Sequence, residues 1–430
     1  MKPSTVALCV YATTASAGIF SDRYPARSLF PADALPIDEH TFASLRKRDL
    51  QQPFTSQQLI EPTSHPGTAR LEIESCLFFG LIPFYWTNLA LGTPNQAFRM
   101  ILDLNYGGLI VRNRDCDPFS CGFGFNYTHD DSSTWHDEGE TFMLHLDSQF
   151  AYGNVSRDDV QLISLNVTDV IFGEVDDFHG ENFLFLTMKH FADGAIGLGP
   201  PNASMPLYTD TMVPNIMSNV VSQDVLQKNI MTLDLPWNGG EKGSLYLGTI
   251  PEEAANSDEV RIPFSNATTD LLLNTWQVSV DSISTSNQDS DRIELPEVYA
   301  TFELGAGFSL PSDIYDHLLE SLGAEDKNFL FPIYNCSRWD DMPDLVFTFS
   351  GVDVALTKED YSIRGYFGPG DSDEETCGVL LQQNWRDELP VVIGVEFLRK
   401  WFVVFDMDEG ELGRECLPIE PGVEGCANDA

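Results

Sequence analysis

Two carboxylates are the residues in this chain best placed by type and spacing to do chemistry together. Asp103 sits in Ile101-Leu102-Asp103-Leu104-Asn105-Tyr106-Gly107-Gly108, and Glu303 in Ala300-Thr301-Phe302-Glu303-Leu304-Gly305-Ala306-Gly307, 200 positions later. Each stretch runs apolar or β-branched, drops to one carboxylate and a leucine, and reaches small residues. An isolated carboxylate at the end of an apolar strand is costly to bury unless it is paired or used. Two carboxyl groups about 3 Å apart cannot both ionise, which drives their pKa values apart. Paired acid–base chemistry is therefore the first expectation.

The elements that must position such a pair are visible downstream. Ala192-Asp193-Gly194-Ala195-Ile196-Gly197-Leu198-Gly199 follows the first stretch, and Val391-Val392-Ile393-Gly394-Val395-Glu396-Phe397-Leu398 the second. Asp103 to Gly197 is 94 residues and Glu303 to Gly394 is 91. Two halves with one order of parts at one spacing read as an internal duplication that sets the carboxylates face to face. Between these landmarks the chain is short β-branched and aromatic runs separated by Gly, Asp, Asn and Pro, the pattern of an all-β protein. Leu245-Tyr246-Leu247, Trp276-Gln277-Val278-Ser279-Val280, Leu345-Val346-Phe347-Thr348-Phe349 and Val403-Val404-Phe405 are examples. Few helices are expected: one within 215–228, with apolar Ile216, Met217, Val220, Val221 and Leu226. A second is capped by Ser312 and runs through Tyr315, Leu318 and Leu319 to Leu322. The junction between halves falls near 255–270.

These stretches resemble the pepsin-like aspartic proteases. That family has a hydrophobic-hydrophobic-Asp-Thr/Ser-Gly loop in each lobe and a later hydrophobic-hydrophobic-Gly segment packed across it. The likeness extends from about Phe84 to about Gly413. It includes Phe84-Tyr85-Trp86-Thr87-Asn88-Leu89-Ala90-Leu91-Gly92-Thr93-Pro94 and Phe397-Leu398-Arg399-Lys400-Trp401-Phe402-Val403-Val404-Phe405-Asp406. It implies an all-β, bilobal fold with a central cleft between two duplicated lobes, and Asp103 and Glu303 at the catalytic positions. It also implies disulfides Cys116–Cys121 and Cys336–Cys377, leaving Cys76, Cys416 and Cys426 without an assigned pairing.

The chain departs from the family at the reacting loops. Glu303 stands where the second Asp belongs, its extra methylene carrying the carboxylate about 1.5 Å further, a displacement on the scale that costs catalysis ~10²-fold. Leu104 and Leu304 take both Thr/Ser positions, whose hydroxyls make the cross-lobe hydrogen bonds. Asn105 replaces one glycine, and Tyr106 and Ala306 replace further supports. Aligned on Gly153 and Ser156-Arg157-Asp158-Asp159-Val160, the flap tyrosine falls on Leu146 and its tryptophan partner on Ile110, with Tyr152 as a competing register.

Composition bounds the rest. With 24 basic and 66 acidic residues the formal charge is −42, which excludes nucleic acid as a partner because phosphates would be repelled. It suits work in acid, or simple solubility. No nucleotide loop, metal-spaced His/Cys cluster or Ser-His-Asp arrangement is present, so neither metal nor cofactor is expected. Lys2, the apolar Val6 to Tyr11 and Ala15-Ser16-Ala17 read as a secretory signal over 1–17. Residues 18–75 read as a leader, either a propeptide cut after Arg48 or a solvated charge run. The lobes are expected over 76–262 and 263–415, with a tail at 416–430. Sequons at Asn126, Asn154, Asn166, Asn202, Asn266 and Asn335 point to glycosylation, and no membrane span is apparent. The expectation is a secreted monomer, a pseudoprotease holding a peptide, protein or small-molecule ligand in its cleft. The alternative is an endopeptidase using Asp103 and Glu303, or a small-molecule acid–base catalyst on the same fold.

Overall fold

The computed structural model describes Leu8–Cys9 and most of 66–416. Within the latter span it leaves out 79–81, 105–107, 117–120, 122–124, 147–148, 180–191, 202–203, 206–212, 237–241, 256–259, 266–274, 287–291, 306, 327–330, 365–375, 385–389 and 409–410. Expectations for Asn105, Tyr106, Ala306, Asn202, Asn266, Arg48 and Cys426 lie outside the described residues, as do the side chains of Leu146, Cys76 and Cys416.

Alternating apolar residues in the strands build two large sheets among the described residues, beside a three-stranded and a two-stranded one. In the larger, Gln96–Asp103 lies beside Gly194–Gly197, which lies beside Leu109–Arg112; the sheet then continues through Leu165–His179 and Gln149–Leu162 to His136–Leu146. Its other wing passes through Ile82–Leu91, Ala69–Phe78, Lys242–Leu247 and Ile230–Asp234 to Trp401–Asp406, Glu411–Cys416 and Val260–Pro263, so strands from both halves share it. The smaller sheet holds Ile293–Phe302, Val391–Ile393 and Phe308–Leu310 as neighbours, flanked by Gln277–Thr285, Leu345–Phe349 and Val352–Leu356 on one side and Leu381–Gln383 on the other.

One unit occurs in both sheets. A lead strand ends at the carboxylate, a loop returns as an exit strand, and a distant third strand inserts between the two. In the first unit the inserted strand is parallel to the lead strand, with Met100 opposite Gly194 and Asp103 opposite Gly197, and antiparallel to the exit strand. In the second, Ala300 lies opposite Val391 and Phe302 opposite Ile393, again with an antiparallel exit strand. The nearly equal spacing read in the sequence is thus an equal register in space.

The inserted strand can pass this closely only if it ends in glycine. A Cβ on Gly394 would lie 2.1 Å from the Gly307 carbonyl oxygen and 2.6 Å from that of Gly305. A Cβ on Gly305 would meet nothing within 4 Å.

A continuous apolar core runs through both halves. It includes Leu71, Leu102, Ile196 and Met231 from the first, and Val278, Phe302, Phe347 and Phe397 from the second. Trp276 sits at the join: its ring centroid is 5.0 Å from that of Phe405, and its indole N–H donates to the Leu198 carbonyl at 2.8 Å. That bond attaches the second half to the residue just past the first unit's inserted strand.

Local expectations fared unevenly. Ala69–Phe78, which overlaps the end of the segment read as leader, is a strand whose Leu71 and Ile73 are fully buried; its alternating pattern is too short to separate from loop by sequence. The first helix is Ile216–Ser222, shorter than its apolar stripe, with Asn215 as cap accepting from the Ser218 N–H. The second is Ser312–Leu322, with Pro311 rather than Ser312 at the cap; Tyr315, Leu318, Leu319 and Leu322 are buried as the periodicity predicts. Both implied disulfides are present, with Cα atoms 6.0 Å apart for Cys116–Cys121 and 5.1 Å for Cys336–Cys377. Among the sequons, Asn166 and Asn335 are exposed while Asn126 and Asn154 are half-buried, and the Asn154 amide donates to Asp176.

Gly394→Ala should destabilise by on the order of 3 kcal/mol, since its new carbon meets backbone rather than a yielding side chain. Gly305→Ala should stay within about 0.5 kcal/mol. Denaturant unfolding at one pH distinguishes the two.

Candidate functional site: two carboxylates on equivalent loops

Asp103 is half-buried at the end of the first lead strand. Its carbonyl accepts from the Leu198 N–H at 2.7 Å, and Gly197 donates to the Gly108 carbonyl at 2.7 Å, closing the loop against the inserted strand. Glu303 takes the corresponding place in the second unit. Its N–H donates to the Ile393 carbonyl at 2.9 Å, and Val395 donates to the Gly305 carbonyl at 2.9 Å. The fold therefore treats the two carboxylates as equivalents, although Glu303 is the more exposed.

The residues after them are apolar in fact as well as in type. Leu104 is fully buried within the common core, and Leu304 is half-buried against the same core. Hydrocarbon thus fills both positions where the family pattern places hydroxyls. Replacing both members of a hydrogen-bonded pair together avoids the stranded polar group that a single replacement leaves.

The flap hairpin joins His136–Leu146 to Gln149–Leu162, and Leu146 pairs with Gln149 at its tip. Tyr152 lies further down the hairpin, paired with Met143 and Asp177, and is exposed. Ile110 is fully buried beneath the hairpin in a second apolar cluster with Phe142, Leu144, Ala151, Val175 and the Cys116–Cys121 sulfurs. This position offers packing to the flap and no polar hydrogen.

Two polar groups beside these loops escaped the sequence reading. Arg112 is fully buried and pairs with Asp193 at 2.7 Å while donating to the Cys121 carbonyl at 2.8 Å. Asp193 also accepts from the N–H groups of Arg99 at 2.9 Å and Phe125 at 2.7 Å. The pair ties both outer strands of the first unit to the start of its inserted strand. Removing one partner would leave a buried charge uncompensated.

Glu396 is the second. It is 2% exposed, and its Oε2 accepts from the Gly307 N–H at 2.7 Å. Burial pushes its carboxyl above the usual carboxylate range, while the charge of Arg399 and the Gly307 N–H act the other way. Tyr85 shares this surrounding and is likewise pushed up by burial. The available signal was a lone acid inside Val395-Glu396-Phe397-Leu398, whose neighbours are all buried. Among the described residues no group of three His, Cys, Asp or Glu is arranged to hold a metal ion, and no helix is long and apolar enough to cross a membrane.

Two outcomes follow. Leu104→Thr should destabilise by about 1–3 kcal/mol through a buried hydroxyl without a partner; adding Leu304→Thr should recover part of that loss if the two positions face each other, and a double-mutant cycle in urea reads the coupling. The raised Glu396 carboxyl makes a stabilising contribution that is fully present below the ordinary glutamate value and lost as pH rises through its own higher value. Glu396→Gln should flatten that decline, seen as a melting temperature falling less from acid towards neutral pH than in the wild type.

Comparison with known proteins agrees with this geometry. A family model for eukaryotic aspartyl proteases matches residues 84–414. Vacuolar protease A of Aspergillus fumigatus is 26% identical over 387 residues, covering 88% of this chain and 89% of its own length. Pepsin II-2/3 of Oryctolagus cuniculus is 26% identical over 383 residues, covering 86% and 92%. Gastricsin of Mus musculus is 24% identical over 334 residues, covering 76% and 80%. With the duplicated strand–loop–strand units and the extent of the family match, the chain belongs to the eukaryotic aspartyl proteases, the pepsin-like family.

Proposed function

We propose that this protein is a pepsin-family pseudoprotease that binds a peptide, protein or small molecule between its lobes and cleaves peptides poorly or not at all. The observation that carries the reading is the burial of Leu104 in the common core, with Leu304 against the same core. Dyad chemistry needs hydrogen bonds that hold each carboxylate in place and set one proton between them. Hydrocarbon at both positions removes the cross-lobe hydrogen bonds that hold the two loops in place for that chemistry. Glu303 in place of the second aspartate and an apolar site at Ile110 weaken two further parts of the mechanism. Each tenfold loss corresponds to about 1.4 kcal/mol in the barrier, so several modest losses reach background.

The groove reading rests on the intact framework. The two units keep matched register, and a fold that preserves its cleft preserves a concave surface for a ligand. Asp103 and Glu303 are expected within direct or single-water contact at its floor. Glu303, beside Leu304, then serves as a hydrogen-bond donor to a ligand carbonyl when protonated. The apolar Val6 to Tyr11, the sequons and the two disulfides support passage through the secretory pathway. The names of the vacuolar and gastric relatives fit that route.

A second reading, an acid endopeptidase or a small-molecule acid–base catalyst using Asp103 and Glu303, draws on the retention of a carboxylate at both loop positions. A peptide-library digest by the purified protein across about pH 2.5–7, with Asp103→Asn as control, separates the two readings. The expected outcome is no cleavage that depends on Asp103. Pepstatin-sensitive turnover of acid-denatured globin that disappears in Asp103→Asn would establish the second reading instead.

A further inference from the structure

The loop that carries Glu303 spans from Phe302 to Phe308 and is held at alternate residues. The Glu303 N–H donates to the Ile393 carbonyl, the Gly305 carbonyl accepts from Val395, and the Gly307 N–H donates to the Glu396 side chain. Two of these three ties are main chain to main chain. The third comes from a carboxyl that reaches the loop from inside the protein.

The duplication shows what is peculiar about that third tie. Gly394 corresponds to Gly197 in the matched registers, so Glu396, two residues on, corresponds to Gly199. The first half therefore has no side chain at this position to support its own loop. An acid between Val395 and Phe397, both fully buried or nearly so, works against core packing unless its oxygens satisfy a buried donor. The Gly307 N–H is such a donor, and it belongs to the loop whose supporting positions, 304 and 306, hold leucine and alanine.

We propose that Glu396 is the positioning residue of the second loop: its buried carboxyl holds the Gly307 N–H and so fixes the backbone that presents Glu303. This rests on the reading of Glu303 as the second carboxyl of the groove. The charged and titratable groups acting on Glu396 are Arg399, at the end of its own helical turn, and Tyr85, from the strand Ile82–Leu91. Neutral in acid, the carboxyl still accepts from Gly307; ionised at higher pH it accepts more strongly, with Arg399 as the opposing charge. The support is thus pH-dependent, and it acts on one loop only.

The test uses the full-length protein and needs neither a ligand nor activity. In wild type, the Gly307 amide proton and the Glu396 carboxyl carbon, followed by NMR on isotope-labelled protein, should titrate together with one midpoint. Separate midpoints, or a Gly307 signal that does not titrate, overturn the proposal. In Glu396→Ala, amide exchange of the 303–307 segment should accelerate at least about tenfold while 101–104 is unchanged. The Glu303 carboxyl midpoint should also move by about half a pH unit or more against exposed Glu297. Glu396→Gln, which keeps an oxygen acceptor, should restore slow exchange to within about threefold of wild type. An unmoved Glu303 midpoint in folded Glu396→Ala, or exchange in Glu396→Gln as fast as in Glu396→Ala, also overturns it. If Glu396→Ala does not fold, the wild-type titration decides. Failure to find a groove ligand would leave these outcomes intact, so the two proposals fail separately.

Discussion

The close passage of a glycine-ended strand between the two arms of each carboxylate loop is the constraint on which the structure depends. The Gly394 backbone lies so near the Gly305 and Gly307 carbonyls that no side chain fits. That proximity allows the inserted strand to pair in parallel with the lead strand and antiparallel with the exit strand. The same contact closes each loop against its inserted strand through backbone hydrogen bonds. Parallel pairing across some ninety intervening residues is entropically expensive, and it is offset by burial of the inserted strands, complete in Gly194–Gly197 and short of complete only at Val392 in Val391–Ile393.

Around that shared framework the two units are supported differently. The first is braced by the Arg112–Asp193 pair, whose oxygens gather two further backbone N–H groups and bind both outer strands. The second is braced by Glu396 and one N–H of the loop itself. Trp276 then couples them through the Leu198 carbonyl, one residue beyond the first inserted strand. At the positions after the two carboxylates, Leu104 and Leu304 pack on the common core, and the polar braces beside the two loops are unlike.

Much of this was legible in the residue order. The two carboxylates, the two glycine-ended apolar segments and their nearly equal separations identified the duplication, because a repeated local pattern must fold by a repeated local pairing. Strand-rich character followed from β-branched and aromatic runs punctuated by turn residues, and both implied disulfides are present. The apolar identity of Leu104 and Leu304 needed no coordinates, since residue type alone removes a hydroxyl.

Other features were decided only by tertiary structure. That Ala69–Phe78 is a strand depended on Lys242–Leu247, far along the chain, offering it a partner. Where the flap hairpin turns was decided by the pairing of Leu146 with Gln149. Arg112 and Glu396 read as ordinary charges among apolar neighbours, and burial made them braces. Their partners, Asp193 and the Gly307 N–H, lie 81 and 89 residues away. Short-range pattern specifies which backbone shape a segment prefers; a buried charge acquires its role from groups that only long-range folding brings within hydrogen-bond reach.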